Sequence, residues 1–466
     1  MAKNLVYDIH DKPKFPQLIM FAFQQLLAIM AATITVPIIV GNDMSISAAL
    51  FGAGIGTLVY QLFTKFRSPV FLGSSFAFIG SMLAAFSGAV GNVCLGYVGL
   101  IIGAVFAGLI YVILALVVKF AGTKWINKIM PVAVIGPTVA LIGLSLAGAA
   151  VNDVFSYGDK ITFGLSGYFQ MTTSIWLSLI CALVTFLTVV LCSVYGKKMV
   201  KLIPFIIGIL VGYATALIFT LIGIATGVDA LRVIDFEPFR ALTADGVGLS
   251  TFFSIPDFTI VEIVKNRPVL RWDYIITVLV AYVPVAFVVF AEHLADHKNL
   301  SAIIERDLIE DPGLHRTLLG DGIGSVVGSI FGGCPNTTYG ESVGCVAITK
   351  NASVITITTT AIIAMLCSFV SPLVAFLDSI PGCVMGGVCI TLYGFIAVSG
   401  LKMIQKVDLE DHANLFTVSA ILIPGIGGMA MAIGEKVFIT PVACALVLGI
   451  VTNLLLTKFK KNNKKD

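Results

Sequence analysis

The sequence predicts an all-α polytopic membrane protein of 14 transmembrane segments, arranged as a 7+7 inverted repeat. Three observations carry that prediction. Of the 466 residues, 58% are hydrophobic and 12% charged, with a mean hydropathy of +1.00, which excludes a water-soluble domain. Fourteen apolar runs can be walked along the chain, and at roughly 20 to 22 residues each they use about 300 residues. Finally, the chain repeats its own motifs in order.

The runs lie near 17–40, 46–64, 70–88, 95–118, 129–149, 173–196, 202–225, 273–298, 318–333, 336–350, 353–376, 381–401, 413–433 and 437–457. Basic clusters fall at Lys65/Arg67, Lys119/Lys124/Lys128, Lys197/Lys198/Lys201, Lys298/Arg306/Arg316, Lys350, Lys402/Lys406 and Lys458 to Lys465, all on one side of the membrane. The positive-inside rule makes that side cytoplasmic and puts both termini there, which demands an even number of spans. One loop dissents, 226–272, with Arg232, Arg240, Lys265, Arg267 and Arg271, but loops this long obey the rule less strictly. The expected organisation is a cytoplasmic tail (1–16), a first repeat (17–235), an extracytoplasmic loop (236–272), a second repeat (273–457) and a basic cytoplasmic tail (458–466). Met1 to Pro16 lacks the short apolar core and cleavage site of a signal peptide.

With 29 Lys and Arg against 26 Asp and Glu, nothing points to nucleic acid. The nine cysteines include no C-x-x-C spacing and read as small buried hydrophobes, so no metal or cofactor is expected.

Met130-Pro131-x-x-Val134-x-Gly136 matches Ile380-Pro381-x-x-Val384-x-Gly386. Pro204, Gly212 and Thr215 match Pro441, Gly449 and Thr452 at identical offsets, and Ser74-Ser75-Phe76 aligns with Thr337-Thr338-Tyr339. With seven spans per half, an odd number, the second half must insert upside down, as in many secondary transporters.

The third and tenth runs are both broken, one by Gly73-Ser74-Ser75 and the other by Pro335-Asn336-Thr337-Thr338. Paired broken segments in an inverted repeat meet near the midplane, where freed backbone N–H groups can face a substrate and Phe76 and Tyr339 offer flat faces for a planar heterocycle. The plain alternative is two helix starts with Ser/Thr caps. Glu341 follows the second break in a stretch otherwise free of charge, and Glu292 ends the run Ile276 to Ala291; carboxylates inside a membrane face polar cavities. Leu294, Leu300, Ile303 and Ile304 continue an apolar face, which extends the helix and keeps Glu292 inside the protein. Such acids suit a ligand with N–H donors, and a carboxyl that alternates between accepting and donating is a natural proton carrier. Asp296 shares the helix face of Glu292 at i, i+4, so the pair, not one residue, is expected to set the pH dependence.

His293 and His297 also stand at i, i+4, and His-x-x-Asp-His is similar to an inverted zinc-protease motif, a distant intramembrane metallopeptidase alternative that has the wrong acid and no third ligand. Replacing His297 with Ala is expected to change little if it faces the cytoplasmic loop; His10, His315 and His412 read as solvated. Gly324-x-x-x-Gly328-x-x-x-Gly332 reads as a close-packing face within the fold.

Gln24-Gln25, Leu72-Gly73-Ser74-Ser75-Phe76-Ala77-Phe78, Ala291-Glu292-His293, Asp311-Pro312-Gly313-Leu314-His315-Arg316, Pro335 to Glu341 and Val384-Met385-Gly386-Gly387-Val388 resemble the nucleobase/ascorbate (nucleobase:cation symporter-2) transporters, and within them the bacterial uracil permeases. The resemblance covers essentially the whole chain. It implies a core domain (segments 1–4 and 8–11), a gate domain (5–7 and 12–14), short antiparallel strands in segments 3 and 10, and a homodimer. By position, Glu292 and Glu341 resemble the uracil-binding carboxylates, Phe76 and Gly340 the residues whose backbone N–H groups meet the base, and Tyr339 a pocket residue. Proton coupling falls to Glu292, Asp296 and Glu341. Glu341 opens the signature Glu341-x-x-Gly344-x-x-x-x-Thr349-Lys350, where purine carriers more often have Gln.

The sequence departs from the family pattern at three places: Ser342 for the usual Asn, Gln25 where Gln-His is common, and Asp296 where some uracil permeases have His. The adjacent His297 lies about 100° round the helix and cannot simply substitute. The implied function is proton-coupled uracil import across the cytoplasmic (inner) membrane by alternating access, with uracil, protons, membrane lipid and a second copy as partners. The protein is not expected to be an enzyme. Alternatives are a purine (xanthine/urate) symporter of the same fold, an anion carrier, and a receptor that binds a base without moving it.

Overall fold

In lipid every backbone N–H and C=O must find a partner within the protein, and a chain this apolar does so chiefly by coiling into helices. The computed structural model describes residues 5–156, 160–163, 166–197, 199–244, 246–433 and 437–462. Lys198 and the end of the basic C-terminal run, 463–466, lie outside the described residues. Among those described, nine helices are long and apolar enough to cross a membrane, and three shorter apolar helices accompany them, at Phe76–Gly88, Val354–Cys367 and His412–Ile426. The chain is a multi-pass membrane protein.

Local chemistry sets the helix ends. Pro16 and Pro204 sit in first turns, where a missing N–H costs nothing. Ser45 Oγ accepts from Ala48 N at 3.2 Å and Asn92 Oδ1 from Leu95 N at 3.0 Å, each satisfying a first-turn amide. The helix Trp272–Ile304 runs to the end of its apolar face, as the sequence suggests, and so holds Glu292 within the protein.

Besides the third and tenth, further apolar runs are not simple helices. The helix His412–Ile426 stops before Gly427-Gly428, and strands β5 (Met431–Ile433) and β6 (Val437–Ile439) form a hairpin before Pro441 opens the last helix. A similar hairpin joins β2 (Lys160–Phe163) and β3 (Ser166–Phe169). The run 353–376 divides into the helices Val354–Cys367 and Ser371–Asp378.

The chain forms two compact units. The first contains Met1–Ser145, Pro256–Met365 and Phe395–Asp466; the second contains Leu146–Ile255 and Leu366–Gly394. In the second, the helices Thr173–Tyr195 and Pro204–Thr226 pack through Gly208 and Gly212, set against Val189 and Thr185. In the first, the predicted glycine face meets a matching one on the helix Ile46–Phe63. A Cβ on Gly324 would stand 2.7 Å from Gly56 O, and one on Gly52 2.6 Å from Gly328 O, so only glycine allows the backbones this close. Residues near the N-terminus belong to this unit as a strap. Val6 N donates to Lys350 O at 2.7 Å, Val354 N donates to Ile9 O at 3.1 Å, and Ile9 is buried with Tyr60, Leu72 and Val346.

Candidate functional site

Strands β1 (Leu72–Ser74) and β4 (Asn336–Thr338) lie in the first unit and pair antiparallel, Leu72 with Thr338, Gly73 with Thr337 and Ser74 with Asn336. These are the strands expected in segments 3 and 10. The register follows the internal repeat: Gly73 pairs with Thr337, which aligns with Ser74, and Ser74 pairs with Asn336, which aligns with Gly73. Two broken segments thus satisfy each other's backbone groups in the bilayer, where neither has water to bond. Helix Ile46–Phe63 braces the crossing. Thr57 Oγ1 accepts from Leu72 N at 2.9 Å and Asn336 Nδ2 donates to Gly52 O at 2.9 Å.

Each strand leads into a half-helix. Phe76 opens one, continuing through Ile79–Gly88, and Gly340 opens Gly340–Thr349 at the other end of the crossing. The first amides of such helices have no acceptor within the helix and carry partial positive charge. Glu341 sits in the first turn of the second half-helix, where that charge favours a carboxylate. Asp296, on the long helix, accepts from Thr338 Oγ1 at 2.8 Å through Oδ2, and its Oδ1 lies 3.7 Å from where a Cβ on Gly340 would stand. Glu292, one turn earlier, has a buried Oε2 with no hydrogen-bond partner among the described residues. Its electrostatic neighbours are Asp296, Glu341 and Asp321. Gly340 is exposed and Glu341 half-buried, so this group of acids opens outward at the helix start.

The structure therefore brings Glu292, Asp296, Gly340 and Glu341 together. Phe76 is buried at the start of the opposite half-helix. Tyr339 is 3% exposed; its hydroxyl donates to Ser74 O at 2.8 Å and its ring covers Gly73, where a Cβ would collide with it. Two of the sequence departures meet: Gln25 Nε2 donates to Ser342 Oγ at 2.6 Å, and that oxygen also accepts from Phe71 N at 3.2 Å.

His297 does not face a loop. It is fully buried, with Nδ1 bonded to His293 O at 2.8 Å and Nε2 paired with the Tyr60 hydroxyl at 2.8 Å. His293 is equally buried, with Nδ1 2.7 Å from Asp321 Oδ2 and Nε2 3.0 Å from Thr317 Oγ1. All four ring nitrogens have other partners, which leaves the zinc-protease alternative without ligands. Sequence reasoning passed over Asp321 and Thr317. A usable signal was present, because Asp321 is an acid inside an apolar, glycine-rich run.

The sequence profile of the permease family matches residues 16–434. The chain belongs to this family. It is a transporter, not an enzyme, and the resemblance to the uracil permeases of the nucleobase:cation symporter-2 group holds. It is 38% identical to a uracil permease of Bacillus caldolyticus, covering 97% of this chain and 94% of that one. It is 34% identical to a uracil permease of Escherichia coli (strain K12), over 96% and 93%. The fold is that of the transmembrane domain of the cyanobacterium bicarbonate transporter BicA, with a TM-score of 0.58 at 13% identity, covering 96% of this chain and all of that one. The murine Solute Carrier 26 family member A9 anion transporter in its inward-facing state is similar at a TM-score of 0.61 and 12% identity, over 97% of this chain and 69% of that one.

Proposed function

We propose that the chain imports uracil across the cytoplasmic membrane, coupled to protons, by alternating access. One observation carries the reading: Glu292 and Glu341 converge beside the exposed backbone of Gly340 at the start of a half-helix. Uracil presents N–H donors and C=O acceptors on one planar ring. The carboxylates accept from the N–H groups, while the half-helix amides of Gly340 and Phe76 donate to the carbonyls. Relatives named uracil permeases support this substrate. An anion is disfavoured, because the neighbours of Glu292 are all acids.

The same reading takes the chain as 14 segments in two inverted repeats of seven. A core of segments 1–4 and 8–11 carries the site and a gate of 5–7 and 12–14 works against it, in a homodimer with both termini cytoplasmic. Proton coupling is assigned to the acids at the site, Glu292, Asp296 and Glu341. The test is uptake of labelled uracil into proteoliposomes with a panel of unlabelled bases. Uracil uptake rises with an inward proton gradient and cytosine competes poorly, because it leaves buried groups unpaired. Xanthine taken up better than uracil, or indifference to collapse of the gradient, sinks the reading.

A further inference from the structure

Behind the acids lies a buried triad, Asp321, His293 and Thr317, that no contact with a base requires. His293 and Thr317 are 0% exposed and Asp321 1%. Thr317 Oγ1 stands 3.0 Å from His293 Nε2 and 3.0 Å from Leu314 O. A hydroxyl has one proton and spare lone pairs, whereas a carbonyl only accepts. Two arrangements therefore keep the bond between Thr317 and His293, and they differ in whether Leu314 O also accepts. In one, Thr317 donates to Nε2 of a neutral His293, whose Nδ1–H donates to the Asp321 carboxylate. In the other, an added proton on Nε2 is donated to Thr317 Oγ1, and Thr317 turns its own proton to Leu314 O. No heavy atom has to move between them.

His297 has a similar hydroxyl relay but no carboxylate. Its Nε2 meets the Tyr60 hydroxyl, which can turn its proton to Ser68 Oγ at 2.7 Å, but its Nδ1 donates to the neutral carbonyl of His293, where His293 has the charge of Asp321 to offset an added proton. Its ring also stacks on His293 at 4.0 Å between centroids, so two imidazolium rings would repel. The stacking leaves room for one imidazolium, and of the two rings only His293 has a carboxylate on its other nitrogen.

We propose that Asp321, His293 and Thr317 hold the transported proton, while Glu292 and Glu341 hold the base. This rests on the proton-coupled reading above and refines it: the acids at the site respond to the transported proton through their charge, and the triad behind them carries it. The groups around the triad are Glu292, Asp296 and His297 on the long helix, Tyr111 edge-on to His293 at 6.1 Å, and Tyr60 on the helix Ile46–Phe63, with Glu341 on the second half-helix acting on Glu292 in turn. None of them is Lys or Arg, so an added positive charge meets only acids and neutral rings. Asp321 acts electrostatically on Glu292. A proton on the triad offsets the Asp321 charge and favours the ionised Glu292 that accepts an N–H. Proton loading and base binding then promote each other, as symport needs.

The experiment uses the full chain in proteoliposomes and measures gradient-driven accumulation of uracil, uracil counterflow at equal pH, and equilibrium binding. His293→Gln keeps hydrogen-bonding capacity but cannot become a cation. It is expected to bind and exchange uracil within about threefold of wild type while losing accumulation about tenfold or more. Thr317→Val removes the acceptor of the loaded state and moves the pH profile of accumulation lower by about one unit, since hydrogen bonds to charged groups are the stronger ones; Thr317→Ser restores it. If His293→Gln does not fold, the Thr317 pair decides. A responsive wild type with wild-type accumulation and pH profile in His293→Gln and Thr317→Val overturns the triad alone. A wild type that exchanges uracil but ignores the gradient overturns the coupled reading and the triad with it.

Discussion

The two broken segments share a scaffold and differ in chemistry. Both begin with a three-residue strand, pair in a register that respects the repeat, and continue as a half-helix. Yet continuing the alignment of Phe76 with Tyr339 sets Phe78 opposite Glu341. Phe78 is buried and stacks on Tyr282 at 5.4 Å, whereas Glu341 is half-buried among acids. The second half of the chain also supplies Glu292, Asp296, His293 and Asp321. The paired strands form a symmetric frame that closes backbone bonds in lipid, and the ionisable groups stand on one side of it. A symmetric frame needs only small, self-complementary residues; a site for an asymmetric planar base needs unlike walls.

The largest expected effect breaks the shared frame itself. Gly328→Val would drive side-chain atoms into Gly52 O and the Asn336 amide, which brace both strands at once. Overpacking against backbone is expected to cost about 3 kcal/mol, read as loss of monodisperse protein or a large drop in Tm. Next, the asymmetry: Glu341→Gln exchanges an acceptor for fixed donors and weakens uracil binding by about 1–3 kcal/mol, measured by equilibrium binding. Phe78→Leu, at the equivalent position, is expected to lower stability by about 1 kcal/mol and leave binding within a few-fold. Equal losses of binding in both variants would mean that the chemistry is shared between the repeats after all. The smallest effect sharpens the comparison at the edge of the second half-helix. A double-mutant cycle of Gln25→Ala and Ser342→Ala in thermal unfolding is expected to give a coupling of about 0.5–1.5 kcal/mol, because each truncation leaves the other group buried and unpaired. Additive effects would show that the pair contributes nothing beyond its members.

Most of the frame was legible because its signals are local. Gly73-Ser74-Ser75 and Pro335-Asn336-Thr337 interrupt apolar runs, and the apolar face from Leu294 to Ile304 marks how far the long helix extends. The β5–β6 hairpin was not, since Met431–Ile433 and Val437–Ile439 are apolar residues that hydropathy cannot tell from helix; Gly427-Gly428 and Pro441 were the only punctuation. At the site, Glu292 and Glu341 stand out as acids where acids are costly. The buried triad was missed for a different reason. Its bonds join residues 24 and 28 apart on separate helices, and only packing shows that His293 and His297 turn their ring nitrogens to Thr317, Asp321 and Tyr60 instead of to a metal.

The strand crossing also bears on how the protein is made. The hydroxyl bond from Tyr339 to Ser74 spans 265 residues of chain, and β1 has no strand partner until β4 has been synthesised and inserted. Until then the first broken segment must wait with unpaired backbone groups that lipid cannot satisfy, either outside the hydrocarbon or shielded by the insertion machinery. The order of synthesis therefore makes the second broken segment the one that completes the first, and a ribosome-stalled chain ending before Asn336 is expected to remain accessible to proteases at Gly73 until the missing part is supplied.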